Sequence, residues 1–226
     1  MARRGRSQSL TLLLMAGVLS APVLVFVAMF GQRFWGWSRE LALDALTLAV
    51  APWLLAVGAI CALILLWRAA RFGAMGWLTA LAAVAVVGGG IWLFLTSPYG
   101  PMAGPEGPHD VSTDIVELPA YSARLQRLHG DEVAASCSGV ASIPTQLQAE
   151  DVGEALQKVG FRPAPSSLFR VEGTHTGLWF LMQHDATVRI RPGQTDVRVT
   201  ARSDRPQGDE ACRLLARIVS ELQPRS

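Results

Sequence analysis

A dense polar stretch after the N-terminal half carries the residue types of hydrolytic chemistry. Five of its six residues are polar: His109, Asp110, Ser112, Thr113 and Asp114. With His175, His184 or Asp185 as partners, these types could supply a nucleophile, a base and an orienting acid. No G-x-S-x-G turn that would expose a nucleophilic serine occurs in the chain. The alternative interpretation is a turn whose short polar side chains cap the local backbone.

The histidines also raise the question of a metal site, since imidazole and carboxylate groups together suit zinc. His109, His175 and His184 share no spacing that is diagnostic of metal ligands on one helix or strand. No C-x-x-C pair is present either. The sequence therefore predicts no metal and no other cofactor.

Four arginines on two neighbouring strands form a second candidate site. Successive side chains of a strand alternate between the two faces of a sheet. On the predicted hairpin, this alternation places four arginines on one face together with Asp196: Arg189, Arg191, Arg198 and Arg202. Clustered guanidinium groups suit the recognition of carboxylates or phosphates, including lipid headgroups. The alternative is a solvated face that nearby carboxylates neutralise: Asp196, Glu172 and Asp185.

Cys137 and Cys212 are the only cysteines of the C-terminal half. An isolated pair in an oxidising compartment is typical of a disulfide. A bond here would close a loop of about 75 residues and contribute roughly 4 kcal/mol in the chain-entropy description. Two buried free thiols are the alternative. Cys61 lies within an apolar segment and is interpreted as a packing residue.

The elements that must position these residues predict an α+β domain over residues 109–223. Alternating side chains indicate strands at 168–174, 187–191 and 195–202, and a doubly apolar run predicts a central strand at 177–183. Helices are predicted at 119–128, 149–159 and 208–222. Asp209 lies in the first turn of the last helix, which has one apolar stripe. Together these elements indicate a mostly antiparallel sheet packed against helices.

Residues 1–97 have a different character, because they hold three long apolar segments at about 10–30, 41–67 and 77–95. Each is long enough to cross a hydrocarbon core of about 30 Å as a helix. The residues that follow, 98–108, include four prolines and three glycines. Such a composition favours neither a helix nor a central strand, so we expect a linker there.

The distribution of arginine predicts the orientation of the three helices. Five arginines belong to the N-terminus and the second loop: Arg3, Arg4, Arg6, Arg68 and Arg71. The first loop holds only Arg33 and Arg39. The excess of positive charge on cytoplasmic loops therefore places the N-terminus inside and everything after Ser97 outside. Nineteen arginines against one lysine indicate a GC-rich bacterial genome, so the expected location is a bacterial inner membrane with a periplasmic C-terminal domain.

Several short motifs of this domain resemble those of one bacterial family. They are His109-Asp110-Val111-Ser112-Thr113-Asp114 with Pro119-Ala120-Tyr121, Arg170-Val171-Glu172-Gly173-Thr174 with Leu178-Trp179-Phe180, and Asp185 with Val188-Arg189-Ile190 and Asp196-Val197-Arg198. In order and spacing they resemble the domain-of-unknown-function family numbered 1499, in the form with three N-terminal transmembrane helices. The resemblance covers most of 109–222. It implies a shared fold and membrane anchor, and it implies no activity.

The same resemblance singles out individual residues. Arg198 and Arg202 match two arginines of the family's hairpin motif, and Asp209 matches an aspartate of its last motif. The chain departs from the pattern at three places. His184 precedes Asp185 where the family has paired aspartates, Val199 replaces a serine, and Arg213 stands near the position of an asparagine.

These observations lead to one main hypothesis and two alternatives. The main one is an inner-membrane protein whose outer domain binds an anionic ligand or partner in envelope upkeep, such as a lipid headgroup or an envelope protein. Its candidate ligand-binding residues are Arg189, Arg191, Arg198, Arg202, His109, Asp110, Ser112, Asp114, Asp185 and Asp209. The alternatives are an enzyme that acts on a lipid or envelope substrate through residues 109–114, and a purely structural membrane subunit. Acidic residues slightly outnumber basic ones after Ser97, so a nucleic-acid partner is not expected.

Overall fold

The computed structural model describes residues 2–72, 74–97, 107–129, 133–164, 167–177, 180–205 and 207–223. The chain divides into two compact units, Met1–Met102 and Ala103–Ser226. This boundary falls within the predicted linker, of which residues 98–106 lie outside the described part of the chain. Each unit has its own hydrophobic core.

The first unit consists of long helices. Helix α1 spans Ala2–Phe34, a π-helical segment Glu40–Val50 continues directly into α2, Ala51–Phe72, and α3 spans Ala74–Thr96. Three stretches are long and apolar enough to cross a membrane: Ser9–Phe34, Glu40–Arg71 and Gly76–Thr96. They coincide with the three predicted segments, so this unit has the length and composition of a membrane anchor.

The sequence did not predict the π-helical segment, whose turns are wider than those of an α-helix. It ends at Val50, and the N–H of the next residue, Ala51, donates to the carbonyl of Leu46, five residues earlier. A proline ring collides with the carbonyl four residues earlier in a regular helix. A wider turn before Pro52 moves that carbonyl aside, and it keeps the chain helical through the proline.

Small residues let the membrane helices approach one another. A side chain added at Gly17 of α1 would place its Cβ 2.7 Å from the sulfur of Cys61 on α2. A Cβ at Gly58 would lie 3.4 Å from the carbonyl oxygen of Gly17. Close contact through small residues is how helices pack when lipid removes the hydrophobic drive between them. Cys61 is therefore a packing residue, as predicted.

The second unit is an α+β domain, which confirms the predicted fold class. Its five-stranded antiparallel sheet has the order β1-β5-β4-β3-β2. The strands are β1 Asp110–Ser112, β2 Phe161–Pro163, β3 Arg170–Thr176, β4 Gln183–Arg191 and β5 Gln194–Ala201. The helices are α4 Ala123–His129, α5 Ala149–Lys158 and α6 Glu210–Leu222.

One face of the sheet forms the hydrophobic core. The register pairs Val188 with Val197 and Ala186 with Val199, and all four side chains are buried. Helices α5 and α6 contribute to the same core, α6 through its predicted apolar stripe. A disulfide joins Cys137 to Cys212 and so ties α6 to the segment that precedes α5. The predicted disulfide is therefore present in the structure.

The other face is polar, yet it is not open. Segment 113–129, which ends with α4, crosses it and hydrogen-bonds to it at several points. The Arg198 guanidinium donates to the carbonyl of Pro119, the Thr187 hydroxyl to that of Ala120, and the Tyr121 hydroxyl to the Thr200 oxygen at 2.8 Å. The sheet thus lies between the α5–α6 layer and this polar-face segment.

Among the described residues of the apolar run at 177–183, only Gln183 belongs to a strand, so the prediction of one strand over this run was wrong. Strand β3 ends at Thr176 and β4 begins at Gln183, while Leu178 and Trp179 lie outside the described residues. Phe180 and Leu181 have φ values of 51° and 49°, and the Gly177 N–H donates to the Met182 carbonyl, which closes a turn. Phe180 and Met182 are buried all the same. The apolar character reflects this burial rather than an extended backbone.

Candidate functional site

All four candidate arginines lie on the polar face, as the alternation predicted. Residues directly opposite each other in the register share a face, and Arg189 pairs with Asp196 while Arg198 pairs with Thr187. The arginines do not form one cluster, however. The structure divides them among three groups of carboxylates, each with its own geometry.

The first group is the pair of Arg198 on β5 and Asp110 on β1. The guanidinium donates from Nε at 2.9 Å and from Nη2 at 2.5 Å to the two carboxylate oxygens of Asp110. The Thr200 hydroxyl donates to the same carboxylate at 2.8 Å, and the Arg198 guanidinium lies over the Tyr121 ring. The side chains are 5% and 2% exposed. No room is left for a ligand between them, so this pair holds the edge strand β1 to the sheet.

The second group centres on Asp185. Arg202 donates to both of its oxygens, at 2.6 Å from Nε and 2.8 Å from Nη2, and His129 lies 2.9 Å away. The Thr174 hydroxyl donates to it at 2.6 Å. Burial by itself raises the pKa of Asp185, but the hydrogen bonds from His129, Arg202 and Thr174 outweigh it and hold the pKa well below its usual range. Asp185 is therefore a fully satisfied, ionised centre of the fold.

The third group, here named the Arg189–Arg191 cluster, consists of Arg189, Arg191, Asp114, Glu117 and Asp196. Arg189 and Arg191 both donate to Asp114, at 3.1 and 3.0 Å, and both contact buried Asp196, at 3.0 and 2.7 Å. Glu117 adds a contact of 2.5 Å to Arg191 Nη1. The arginine side chains are 18% and 30% exposed and Glu117 is 67% exposed. Among the described ion pairs, Glu117 is the most exposed carboxylate that contacts an arginine.

Segment 109–114 combines a strand with the predicted polar turn. Asp110 and Ser112 belong to β1, and the Ser112 hydroxyl donates to the Asp114 carbonyl at 2.8 Å. The Asp114 carboxylate in turn accepts hydrogen bonds from the N–H groups of Val116 and Glu117. These bonds, first that from Glu117, lower the pKa of Asp114. The turn interpretation therefore describes this segment, and Ser112 is buried and already bonded.

The serine and the histidines that the enzymatic alternative requires do not lie in one site. Asp110 and Ser112 lie on the polar face, because Val111 between them pairs with Val199 on the apolar one. His175 and His184 are register partners on the apolar face. The sheet itself separates the serine from both histidines, so no nucleophile and base meet there.

His109 and Asp209 lie elsewhere again. The His109 carbonyl accepts a hydrogen bond from Ala201, at the end of β5 remote from the Arg189–Arg191 cluster. Asp209 directly precedes α6, and its side chain makes no capping hydrogen bond there. Within the described ranges, no three His, Cys, Asp or Glu side chains converge where a metal ion could bind.

Sequence reasoning missed three residues that organise the polar face: Glu117, Tyr121 and His129. Tyr121 is buried and its hydroxyl bridges two strands, and burial raises its pKa. His129 is buried beside Asp185. Both belong to segment 113–129, which has no strong periodicity, so its position over the sheet could not be read from local pattern. The signal available for Glu117 was its position directly after Val116, whose N–H closes an Asx turn with the Asp114 side chain.

Comparison with family profiles, curated proteins and solved structures gives no match for this chain. The membership predicted from the short motifs therefore stays a prediction. The class that the structure itself defines is a membrane-anchored α+β domain with a disulfide and a covered polar sheet face.

Proposed function

We propose that this protein is a membrane-tethered binding module of the bacterial inner membrane, with its C-terminal domain in the periplasm. The arginine distribution favours this orientation. The Cys137–Cys212 disulfide supports it, because such bonds persist in oxidising compartments and are rare in the cytosol. The motif resemblance to the family numbered 1499 agrees with a tethered envelope domain. The task of the module is recognition of a phosphate or carboxylate group.

The Arg189–Arg191 cluster is the proposed recognition site. Arg198 and Arg202 are already paired with Asp110 and Asp185, so the geometry does not favour the two arginines that the family resemblance singles out. Arg189 and Arg191 are partly exposed, and one of their three carboxylate partners is the exposed Glu117. The observation that carries the proposal is this exposed carboxylate on Arg191.

Glu117 occupies the place that an external anion would take. It lies on the turn closed by Asp114 and contacts Arg191 Nη1 and Arg189 Nη1 from the solvent side, at 2.5 and 3.3 Å. An exposed ion pair contributes about 0.2–1 kcal/mol, so a ligand anion can displace it at small cost. Asp114 and Asp196 balance the two arginines and keep them extended when Glu117 moves away.

The test measures anion binding to the full chain in detergent micelles. Inorganic phosphate serves as the soluble probe, and vesicles of phosphatidylglycerol, compared with phosphatidylcholine vesicles, serve as the lipid probe. Glu117→Gln should raise the affinity for a bound anion by up to about fivefold, because it removes a competing ion pair of at most about 1 kcal/mol. Adding Arg191→Gln to the Glu117→Gln variant should abolish this gain in anion affinity. Arg213→Gln is the matched control, since Arg213 is also an exposed arginine paired with a glutamate.

The two probes separate the sources of the anion. Binding of phosphate in solution would indicate a soluble ligand, and binding only of phosphatidylglycerol vesicles would indicate a lipid headgroup. If neither probe binds to the wild-type protein or to Glu117→Gln, the recognition site is refuted. The saturated ion pairs at Asp110 and Asp185 would then favour the third hypothesis, a structural membrane subunit.

A further inference from the structure

Two large apolar side chains form the tip of the turn that leads into β3. The backbones of Ser167 and Arg170 exchange hydrogen bonds of 2.9 and 3.3 Å, so Leu168 and Phe169 occupy the two central positions of this turn. Such positions usually carry glycine, proline or short polar residues. Leu168 is 78% exposed and Phe169 is 63% exposed. Packing within the domain therefore gives no reason for either apolar side chain.

A second turn has the same character. It follows Asp114, whose carboxylate accepts hydrogen bonds from the N–H groups of Val116 and Glu117, and it exposes the side chains of Ile115 and Val116. Six large apolar side chains are exposed in the described part of the domain, and four of them belong to these two turns, here named the apolar turns. Exposed apolar residues that cluster in this way, rather than singly, mark an interaction surface.

Both apolar turns adjoin the Arg189–Arg191 cluster. The Asp114 carboxylate contacts Arg189 and Arg191 at 3.1 and 3.0 Å. The N–H of Ile190, which lies between these arginines on β4, donates to the Phe169 carbonyl at 2.8 Å. The two apolar turns and the two guanidinium groups are therefore fixed at the same end of the sheet.

The exposed charges at this end favour an anionic partner. Arg170, across the register from the cluster, adds a third guanidinium group that is 43% exposed. The carboxylates of Asp114, Glu172 and Asp196 are less accessible, at 17%, 8% and 0%. Glu117 is the exposed carboxylate, and it is the group that an external anion would replace.

We propose that the apolar turns dock on an anionic lipid surface, where their side chains enter the interface and the arginines of the cluster bind lipid phosphates. This docking rests on the anion site proposed above and identifies its anion as a lipid headgroup. Leucine and phenylalanine side chains are stable at the boundary of the acyl chains, while guanidinium groups remain at the level of the headgroups. Each arginine close to such a surface adds attraction to anionic lipid.

A lipid surface fits these turns better than a protein partner does. A stable protein interface buries about 1,200–2,000 Å² in total, and two turns with two apolar residues each are small for that purpose. The same chain carries three helices that are long and apolar enough to cross a membrane, so its domain is tethered where lipid is abundant. Tethering makes docking an intramolecular step, for which a weak surface affinity suffices.

The depth of a nitroxide label on the full chain tests the docking. The chain carries Cys61→Ala and Val116→Cys, keeps its disulfide, and is placed in nanodiscs of phosphatidylcholine with or without phosphatidylglycerol. The ratio of label collisions with oxygen to those with a water-soluble nickel chelate should rise when phosphatidylglycerol is present. A label at Gln157→Cys is the control and should stay in water. Gln157 is exposed near the end of α5, close to where Phe161 pairs with His175 at the far end of β3.

Substitutions then separate the apolar and ionic contributions to docking. Leu168→Ser combined with Phe169→Ser should lower the docking equilibrium at least about tenfold, although the label is on the other turn. Arg191→Gln should lower it about fivefold, and only with phosphatidylglycerol. Leu128→Ser is the matched control, because Leu128 is also exposed but precedes His129, which contacts Asp185.

A label at position 116 that stays in water on both bilayers overturns the proposal and leaves a protein partner for the apolar turns. Equal penetration with and without phosphatidylglycerol also overturns it, because the arginines then take no part. Inorganic phosphate distinguishes this failure from that of the anion site. If the turns do not dock but phosphate binds and Arg191→Gln abolishes its binding, the anion site stands and only the lipid surface is refuted.

Discussion

Arg198 and Asp110 form a two-point ion pair across 88 positions of sequence, between the buried faces of β5 and β1. Both side chains are almost inaccessible to solvent. The guanidinium of Arg198, a candidate ligand-binding group, is therefore already occupied by a carboxylate of the same domain. This relationship converts what the sequence presents as a ligand site into a contact that fixes the first strand of the domain.

Breaking that pair should destabilise the domain strongly. Arg198→Met leaves the Asp110 carboxylate buried without its cation, which typically costs about 3–5 kcal/mol. Denaturant unfolding, followed by the near-ultraviolet signal of the domain, measures the loss. The double variant Arg198→Met with Asp110→Asn should recover much of it, because no uncompensated charge remains. Equal stability of the wild-type protein and the single variant would show that the pair is not formed.

The disulfide should contribute several kcal/mol to the same domain. Replacing Cys137 and Cys212 together by alanine removes a constraint across 75 positions and should lower the free energy of unfolding by about 2–5 kcal/mol. Cys61→Ala is the control, since Cys61 is a free thiol of the membrane unit. Reductant should lower the thermal midpoint of the wild-type domain and leave the midpoint of the double variant unchanged. A midpoint of the wild-type domain that ignores reductant would argue against the bond.

Asp185 should make the stability of the domain depend on pH in acidic buffer. Its carboxyl has a folded-state pKa below the usual value, so its contribution to stability is fully present above that usual value and is lost as the pH falls below about 4. Asp185→Asn should therefore be less stable than the wild-type protein by a constant amount between pH 5 and 8. The gap should narrow in more acidic buffer. Unfolding free energies at several pH values check this, and a gap that stays constant down to pH 3 would contradict it.

Helix packing in the membrane unit depends on Gly17. A Cβ there would lie 2.7 Å from the Cys61 sulfur, so Gly17→Val should push α1 away from α2 at a cost of about 1–3 kcal/mol. Gly89 of α3 has nothing within 4 Å of its Cβ position and supplies the matched control, Gly89→Val. Thermal unfolding of the helices in micelles compares the two variants. Similar losses in both would mean that α1 and α2 do not meet at this point.

The sequence predicted those features that depend on local composition and periodicity. The three apolar runs are helices long and apolar enough to cross a membrane, and the stripe of Leu214, Leu215 and Ile218 is the buried face of α6. Alternation placed Arg189 and Arg198 on one face of the sheet. The ion-pair partners of the arginines could not be predicted, because they are long-range contacts. The carboxylate partners of Arg198 and Arg202 come from positions 110 and 185, and only the strand order reveals these pairs.

Burial without regular structure also misled the sequence reasoning. Phe180 and Met182 are buried in a turn, and hydrophobicity alone does not distinguish such a turn from a strand. Strands β1 and β2 have three residues each, too few for an alternation to be visible. The candidate site moved from Arg198 and Arg202 to the Arg189–Arg191 cluster for a related reason. Glu117, which contacts Arg191, lies on a turn, and a turn has no periodic sequence pattern.

Cysteine labelling in intact cells tests most directly whether the C-terminal domain lies on the outer side of a membrane, as proposed. Val116 is 95% exposed in the C-terminal domain, and Arg71, near the end of the second apolar helix, is expected on the cytoplasmic side. Val116→Cys and Arg71→Cys are each introduced into a chain whose three native cysteines are alanine, and each is treated with a membrane-impermeant maleimide. We expect labelling of Val116→Cys in intact cells and of Arg71→Cys only after permeabilisation. The reverse pattern would place the domain in the cytoplasm and contradict the proposed orientation.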